Sequence, residues 1–216
     1  MRFFSTLLAF CSFETELEKT MLHPARRLLA CTSLVLLFAL PEARAELAAA
    51  VEREYRDHLA DLFDHFHRNP ELSHMEHKTA ARLAQELRAA GFEVTEGVGG
   101  TGIVALMKNG PGPLVMMRAD MDGLPVEEKS GLANASKAKQ IDWEGREVSV
   151  MHACGHDVHI TSLVGTARVM AARRDNWSGT LMLIGQPAEE RIDGARRMMQ
   201  DKLWQRFGQP DYALAF

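Results

Sequence analysis

The pattern of apolar and polar positions predicts helices and strands in alternation from residue 46 onward. Between Glu46 and His67, apolar side chains recur at helical spacing and form one stripe. The members of this stripe are Val51, Tyr55, Leu59, Leu62, Phe63 and Phe66. Asn69-Pro70 ends the predicted helix, because a residue that precedes proline disfavours helical backbone.

The remaining elements follow from the same kind of pattern. Helices are predicted over about 76–90, 159–172 and 192–203, and strands over 92–95, 101–107, 114–120, 180–186 and 212–216. Residues 131–147 show no clear period, and we expect a long surface excursion there. Strands that alternate with helices predict an α/β fold with a mostly parallel central sheet flanked by helices.

The first 45 residues have a different pattern. Residues 21–45 fit a signal peptide: two arginines precede the apolar run 28–40, and Ala43-Arg44-Ala45 fits the small-x-small cleavage rule. The apolar run is too short for an ordinary membrane span, so no stable membrane anchor is predicted. We interpret residues 1–20 as a misplaced start and Met21 as the true one. The expected product is residues 46–216, exported to the periplasm.

Composition excludes some classes of function. The chain has 216 residues, is 46% hydrophobic and 25% charged, and carries a net charge of −4 with scattered basic residues, which argues against nucleic-acid binding. Its three cysteines do not make a disulfide framework, and only Cys154 lies beyond the predicted leader. A lone cysteine is either a buried structural thiol or a metal ligand.

Potential metal ligands are concentrated in Met151–His159. This stretch of nine residues contains His152, Cys154, His156, Asp157 and His159, which are all donors to a borderline divalent metal. Cys154 and His156 are two positions apart and cannot share a helix face. We therefore expect them to converge from a loop that turns at Gly155 and leads into the following helix.

Two acidic stretches add further chemistry. Asp120-Met121-Asp122 follows the apolar run 114–117, and Glu189-Glu190 follows the apolar run 181–184. In open α/β sheets, sites gather outside the carboxyl ends of the strands. The sequence therefore predicts that both acidic stretches and the histidine cluster meet at one edge of the sheet.

Four motifs together resemble a known family. They are Phe66–Ser73 (FHRNPELS), Arg118–Pro125 (RADMDGLP), Met151–His159 (MHACGHDVH) and Gln186–Glu190 (QPAEE). In this order they resemble the metal-dependent aminoacylase and hippurate-hydrolase family, the amidohydrolase branch of peptidase family M20, which is related to carboxypeptidase G and the plant auxin-conjugate hydrolases. The resemblance covers about residues 60–216 and implies the N-terminal part of a co-catalytic zinc-peptidase-like domain. It also implies a lid and dimerisation domain, absent from this sequence, through which the intact enzyme would form a homodimer.

The resemblance implies a role for each of five residues. Cys154 resembles the ligand that bridges two divalent ions, Mn²⁺ or Zn²⁺, while His156 and Glu190 resemble ligands of single ions. Glu189 resembles the general base, and Asp122 resembles a carboxylate that orients a ligand from behind. The implied substrates are small molecules: N-acyl amino acids, hippurate-like conjugates or short peptides.

Several other residues of these motifs keep two interpretations. Asp120, where relatives such as carboxypeptidase G have a metal-binding histidine, is either functional or a capping carboxylate. Asp157 either orients His156 or caps the helix near His159. His152 and His159 remain secondary candidates, and we interpret the region of His67 and His74 as packing beneath the site.

Two further hypotheses compete with the metal-dependent enzyme. Cys154 with His156 or His159 could be a thiol nucleophile and its base, although the acidic stretches would then have no role. Separately, the sequence ends at Phe216, one residue before the position where the family has its next histidine ligand. The alternative function is therefore a catalytically inactive truncated fragment that retains partial metal binding.

Overall fold

A five-stranded sheet organises the chain. The computed structural model describes residues 44–216, so the predicted start at Met21 and apolar run 28–40 lie outside the described residues. The strands are β1 (Glu93–Val98), β2 (Gly102–Asn109), β3 (Leu114–Asp120), β6 (Gly179–Gln186) and β7 (Tyr212–Ala215), in the spatial order β1-β2-β6-β3-β7. A separate two-stranded hairpin is made of β4 (Lys139–Ile141) and β5 (Glu147–Ser149).

The sheet is mixed. β3 runs parallel to both of its neighbours, β6 and β7, whereas β2 runs antiparallel to β1 and β6. The antiparallel β1–β2 pair follows from a tight glycine turn at residues 99–100, and the parallel β3–β6 pair requires the long crossover that a helix provides. The predicted α/β class with flanking helices is confirmed, with a larger antiparallel share than the alternating pattern indicated.

Helices cover both faces of the sheet. Residues 50–54 are helical and lead through a π-helical turn at Tyr55–Leu59 into the first long element. The helices are α1 (Ala60–Arg68), α2 (His77–Ala89), α3 (His156–Ala172), α4 (Gly194–Gln200) and α5 (Leu203–Phe207). Within residues 44–216, none of the helices combines the length and apolar character that crossing a bilayer requires.

The core is divided by the sheet into two layers. Side chains of α1, α2 and α3 form the larger cluster with one face of the sheet, and α4 and α5 contribute to a smaller cluster on the opposite face. Strand β6 shows the division directly, because Leu181 and Leu183 belong to the larger cluster and Met182 and Ile184 to the smaller. A strand buried on both faces explains the continuous apolar run in the sequence.

Three boundaries differ from the sequence-based prediction. Helix α3 begins at His156 instead of His159, directly after Gly155 with φ of +77°. The helix predicted over 192–203 is split, because Lys202 adopts a left-handed conformation with φ of +59° between α4 and α5. The stretch 131–147, where a long surface excursion was expected, contains strand β4 and the start of β5.

Candidate metal and catalytic site

Three chain segments meet at the carboxyl edge of the sheet. Strands β3 and β6 are parallel and in register, with Asp120 opposite Gln186, so both chains leave the sheet at the same edge. The backbone N–H of Met121 donates to the carbonyl of Gln186 at 3.0 Å and extends the pairing by one residue. The N-terminus of α3 brings His156 to this edge.

Asp122 holds in place the acidic turn, which is the stretch 188–192 that follows β6 and carries Glu189 and Glu190. Its side chain is 1% exposed, and its Oδ2 accepts a hydrogen bond from Ser73 Oγ at 2.5 Å. The backbone N–H groups of Glu189 and Glu190 donate to Oδ1 and Oδ2, each at 3.1 Å. Burial alone would raise the pKa of Asp122, but the hydrogen bonds from His156, Ser73 and these two amides outweigh it and lower the pKa. Asp122 is therefore a buried, charged anchor for the turn.

His156 has one ring nitrogen, Nε2, that is available to a metal ion. Its Nδ1 lies 2.7 Å from the backbone carbonyl of Asp122, and because a carbonyl only accepts, Nδ1 must carry the proton. Nε2 then faces the acidic turn, 3.7 Å from Oε2 of Glu189. Burial lowers the pKa of His156, but the carboxylates of Asp122 and Asp120 outweigh it and raise the pKa to about 9. A cation that binds Nε2 must therefore displace a proton.

The described residues contain two sets of potential metal ligands. One set is His156, Glu189 and Glu190, and the other is Asp120, His156 and His159, with the ligand atoms of each set within 4.8 Å of one another. Oε1 of Glu190 is buried without a hydrogen-bond partner. A buried, unsatisfied carboxylate oxygen beside an imidazole suits a divalent cation, so the first set fits a metal site. Since His156 has only Nε2 to offer, the two sets are alternatives for that ligand.

Asp120 belongs to the second set and is partly neutralised from within the protein. It is 3% exposed and bonded to Arg118, and its Oδ2 lies 3.9 Å from Nδ1 of His159, a buried nitrogen without a hydrogen-bond partner. Burial raises the pKa of Asp120 to about 6, against the opposing effect of Arg118. The competition with Arg118 makes Asp120 a weaker candidate ligand than Glu190.

Cys154 lies beside the first set and is a member of neither set within residues 44–216. Its thiol is exposed. The hydrogen bond with Glu190 and the negative charge around it raise the pKa of Cys154 to about 11. This keeps the thiol protonated at neutral pH and disfavours the thiol-nucleophile hypothesis, because the thiolate is the reactive species. The contact with Glu190 places Cys154 within reach of a cation held there.

Asp157 has neither of the two roles that were expected for it. Its Oδ2 lies 2.7 Å from Nδ1 of His67, so it does not orient His156. It is also not the N-cap of α3, because the helix already begins at His156. Its Oδ1 accepts from the adjacent N–H of Val158 at 2.9 Å. Nε2 of His67 contacts Glu128 at 3.3 Å, so the ring of His67 lies between two carboxylates. Both interpretations of Asp157 were therefore wrong. Its partner is His67, which lies 90 positions away in the chain, where no local pattern could indicate it.

His152 and His74 remain outside the ligand sets. His152 is 5% exposed, and neither of its ring nitrogens has a hydrogen-bond partner among residues 44–216. Burial lowers its pKa to about 4, so the ring is neutral at physiological pH. Nε2 of His74 pairs with Asp193 at 2.9 Å, on the loop that follows the acidic turn.

Sequence reasoning missed Glu76. This residue is 0% exposed, and its carboxylate accepts hydrogen bonds from the backbone N–H of Ala188 at 2.8 Å and from Thr101 Oγ1 at 2.5 Å. In the sequence it stands at the start of a predicted helix, where an acidic residue is unremarkable. Its partner Ala188 is 112 positions away, so no local pattern could have identified the contact.

Comparisons with known proteins identify relatives of this chain. Residues 116–216 match the model of peptidase family M20/M25/M40. Thermostable carboxypeptidase 2 of Saccharolobus solfataricus is 43% identical over 152 residues, which cover 68% of this chain and 36% of that protein. Hippurate hydrolase of Campylobacter jejuni is 43% identical over 142 residues, which cover 65% of this chain and 34% of that protein. The chain therefore spans about a third of the length of these curated relatives.

A solved structure shows the same fold. The Bacillus subtilis YXEP protein, described as a dinuclear metal binding peptidase from the M20 family, superposes with a TM-score of 0.61 at 33% identity, covering 73% of this chain and 40% of that one. Residues 116–216 therefore match peptidase family M20/M25/M40, and the two relatives at 43% identity agree with that match.

Proposed function

We propose that the protein to which this chain belongs is a metal-dependent amidohydrolase that cleaves the amide bond of N-acyl amino acids, hippurate-like conjugates or short peptides. The observation that carries the proposal is the set formed by His156, Glu189 and Glu190, whose ligand atoms lie within 4.8 Å of one another at the carboxyl edge of the sheet. The relatives named as hippurate hydrolase and carboxypeptidase support the substrate class.

The two adjacent glutamates differ in environment, and this supports different roles. Glu190 has a buried carboxylate oxygen without a partner, as a ligand requires, whereas the side chain of Glu189 is 42% exposed. An exposed carboxylate beside His156 can take a proton from the attacking water and pass it to the leaving amine. A bound divalent cation would supply a lowered pKa for water and a polarised substrate carbonyl. Asp122 keeps both backbone N–H groups fixed while the proton moves.

For the complete enzyme we propose two cations, either Mn²⁺ or Zn²⁺. His156 and Glu190 would be ligands from this chain, and Cys154 would join them through the position it holds beside Glu190. Thiolate and imidazole favour zinc, whereas carboxylate-rich sites accept manganese. The description of the Bacillus subtilis relative as dinuclear supports the number of ions.

A second candidate function is metal binding without turnover by the 216-residue chain alone. It is supported by the number of ligands: the two sets within residues 44–216 share His156, so they cannot both hold a cation through it. A catalytic zinc ion needs about three protein ligands, and a dinuclear site needs more.

One experiment separates these candidates. The 216-residue chain is titrated with Mn²⁺ or Zn²⁺ and then assayed for release of glycine from N-benzoylglycine, with and without a chelator. Turnover that the chelator abolishes, and that Glu189→Gln also abolishes, would support the hydrolase. Binding of one metal ion without turnover would support the second candidate for the 216-residue chain alone, and the same assay on the whole protein then tests the hydrolase. Turnover that persists after exhaustive chelation would overturn the metal-dependent mechanism.

A further inference from the structure

The turn that carries the two glutamates has an unusual backbone. Ala188 adopts a left-handed conformation with φ of +48°, and Ile192, four residues later, does so with φ of +59°. Between them, Glu189–Arg191 form a single 3-10 turn. A left-handed conformation costs a non-glycine residue roughly 1–2 kcal/mol, so contacts from outside must hold this turn in its shape.

Three successive backbone N–H groups of the turn are bound by two buried carboxylates. The N–H of Ala188 donates to Oε1 of Glu76 at 2.8 Å, and those of Glu189 and Glu190 donate to Asp122 at 3.1 Å each. Asp122 lies just beyond β3 and Glu76 just before α2, so the two carboxylates come from different parts of the chain. Together they define the direction in which the backbone leaves β6.

Glu76 is itself fixed. Its side chain is fully buried, and its second oxygen, Oε2, accepts from Oγ1 of Thr101, a residue that is only 8% exposed. The backbone of Glu76 is tied to α2, because its carbonyl accepts from the N–H of Ala80 at 2.8 Å. A carboxylate with both oxygens bound and its backbone in a helix start has little freedom to move, so it can serve as a rigid reference point.

We infer that Glu76 is a positioning residue, whose carboxylate holds Ala188 in its left-handed conformation and thereby aims Glu190 and Glu189 at the metal and the substrate. The inference rests on the proposed function, because it assigns Glu76 a purpose at that same site. Glu76 acts through the backbone and touches neither cation nor substrate. Residues of this kind behind a metal site typically contribute about 10–100-fold to metal affinity or activity.

Glu76→Ala removes the acceptor and is the main test. The 216-residue chain is titrated with Mn²⁺, and free Mn²⁺ is followed by electron paramagnetic resonance. We expect Glu76→Ala to weaken Mn²⁺ binding by about 10–100-fold in variants that remain folded. Glu76→Gln should restore binding, since its amide oxygen can accept from Ala188 and its NH₂ group can donate to the hydroxyl of Thr101.

Glu71→Ala is the matched control. Glu71 is a buried glutamate of the same segment, 7% exposed, and its Oε2 accepts from the N–H and the hydroxyl of Thr79 at 2.7 Å and 2.9 Å. Its side chain supports the start of α2, since both of these bonds go to Thr79 and neither reaches the acidic turn. We expect Glu71→Ala to lower the unfolding temperature but to leave the Mn²⁺ affinity of the folded protein unchanged.

The outcomes separate the inference from the proposed function. Equal Mn²⁺ affinity in Glu76→Ala and Glu71→Ala, with tight binding by the unaltered chain, would overturn the positioning role alone. Failure of the unaltered chain to bind Mn²⁺ or Zn²⁺ would overturn the metal site assigned to His156 and Glu190, on which the proposed function and the positioning role both rest. If Glu76→Ala does not fold, Glu76→Asp takes its place, because it keeps the charge and retracts the carboxylate by one methylene. Unchanged Mn²⁺ binding in folded Glu76→Asp would likewise overturn the inference.

Discussion

Nδ1 of His156 donates to the backbone carbonyl of Asp122 at 2.7 Å, while the carboxylate of Asp122 holds the backbone of the turn that faces the other side of the same ring. One residue thus fixes the tautomer of His156 with its main chain and the position of Glu189 with its side chain. A substitution at position 122 leaves the carbonyl in place, so the two effects can be separated by experiment.

The first prediction concerns Asp122→Asn. The amide keeps one acceptor oxygen where the carboxylate has two, so at least one buried donor loses its partner, at a cost in unfolding free energy of about 1–3 kcal/mol. Because hydrogen bonds lower the pKa of Asp122, the stabilisation is present above the unfolded pKa and is lost as the pH falls through the folded pKa. Urea unfolding should therefore show that Asp122→Asn lowers the free energy of unfolding by a large amount at pH 7 and by a smaller amount at pH 3, relative to the unaltered protein at the same pH.

Asp142→Asn is the control for this prediction. Asp142 is also buried, and it accepts from the N–H groups of Glu144 and Arg146, but it lies in the β4–β5 hairpin. We expect Asp142→Asn to reduce stability without weakening Mn²⁺ binding, whereas Asp122→Asn should reduce stability and weaken Mn²⁺ binding. Equal Mn²⁺ affinities in the two variants would show that Asp122 does not organise the site.

Much of the fold could be predicted from local patterns. The strand predicted over 114–120 has the same bounds as β3, because a strongly apolar run follows the turn Gly110-Pro111-Gly112-Pro113. The start of α3 was predicted three residues late, because His156 and Asp157 are polar and their burial at the helix N-terminus is a tertiary effect. The break at Lys202 has no signal in the sequence, since lysine ordinarily favours helix.

The site was predictable to the extent that its residues follow strands. Asp122 and Glu189-Glu190 lie just past the parallel strands β3 and β6, so their meeting follows from the sheet. The contact of Glu76 with Ala188 and that of Asp157 with His67 join segments 112 and 90 positions apart. A single sequence carries no information about such pairs, because each partner already has an ordinary local interpretation.

Export is a prediction that concerns residues largely outside the described part of the chain. If residues 21–45 are a signal peptide, cleavage after Ala45 gives a mature product that begins at Glu46. Mass spectrometry of the protein from a periplasmic extract should show this N-terminus. Ala45→Leu removes the small residue at the cleavage position and should leave the precursor uncleaved. A cytoplasmic product that retains Met21 in the unaltered protein would contradict the prediction.

The contacts of His67 with the carboxylates of Asp157 and Glu128 should make the free energy of unfolding depend on pH. Burial lowers the pKa of His67, but the two carboxylates outweigh it and raise the pKa above its ordinary value. The stabilisation is complete below the unfolded pKa of about 6.5 and is lost as the pH rises through the folded pKa. Urea unfolding should therefore show that His67→Gln costs more stability at pH 6 than at pH 9.

His65→Gln should show the opposite trend. Burial, followed by the charge of Arg82, lowers the pKa of His65, so its contribution is present above the unfolded pKa and is lost as the pH falls. The cost of His65→Gln should accordingly be greater at pH 9 than at pH 5. A cost of His67→Gln that is greater at pH 9 than at pH 6 would mean that the charged form of His67 does not contribute to stability.

The geometry of the acidic turn predicts opposite effects for two substitutions. Ala188→Gly removes the penalty of φ at +48° and should leave stability unchanged or raise it by about 0.5–1 kcal/mol, since the gain is partly offset by unfolded-state entropy. Gly194→Ala places a Cβ atom 1.6 Å from the carbonyl oxygen of Pro187, so the turn must move, at a cost of about 1–3 kcal/mol or more. Thermal unfolding of both variants checks the prediction, and a stable Gly194→Ala protein with intact Mn²⁺ binding would contradict it.

The last prediction separates the roles of Glu189 and Glu190. In the complete enzyme, Glu189→Gln should reduce turnover by about 10²–10⁴-fold while metal remains bound, because it removes a general base and hardly changes the size of the side chain. Glu190→Gln should instead weaken metal binding, since the oxygen that is buried without a partner would no longer be anionic. Metal content after dialysis and the hydrolysis rate of an N-acyl amino acid give the two readings for each variant. The environments support this assignment, because a base must reach water and the side chain of Glu189 is 42% exposed. If Glu189→Gln loses the metal and Glu190→Gln keeps it, the two roles are exchanged and the accessible carboxylate is the ligand.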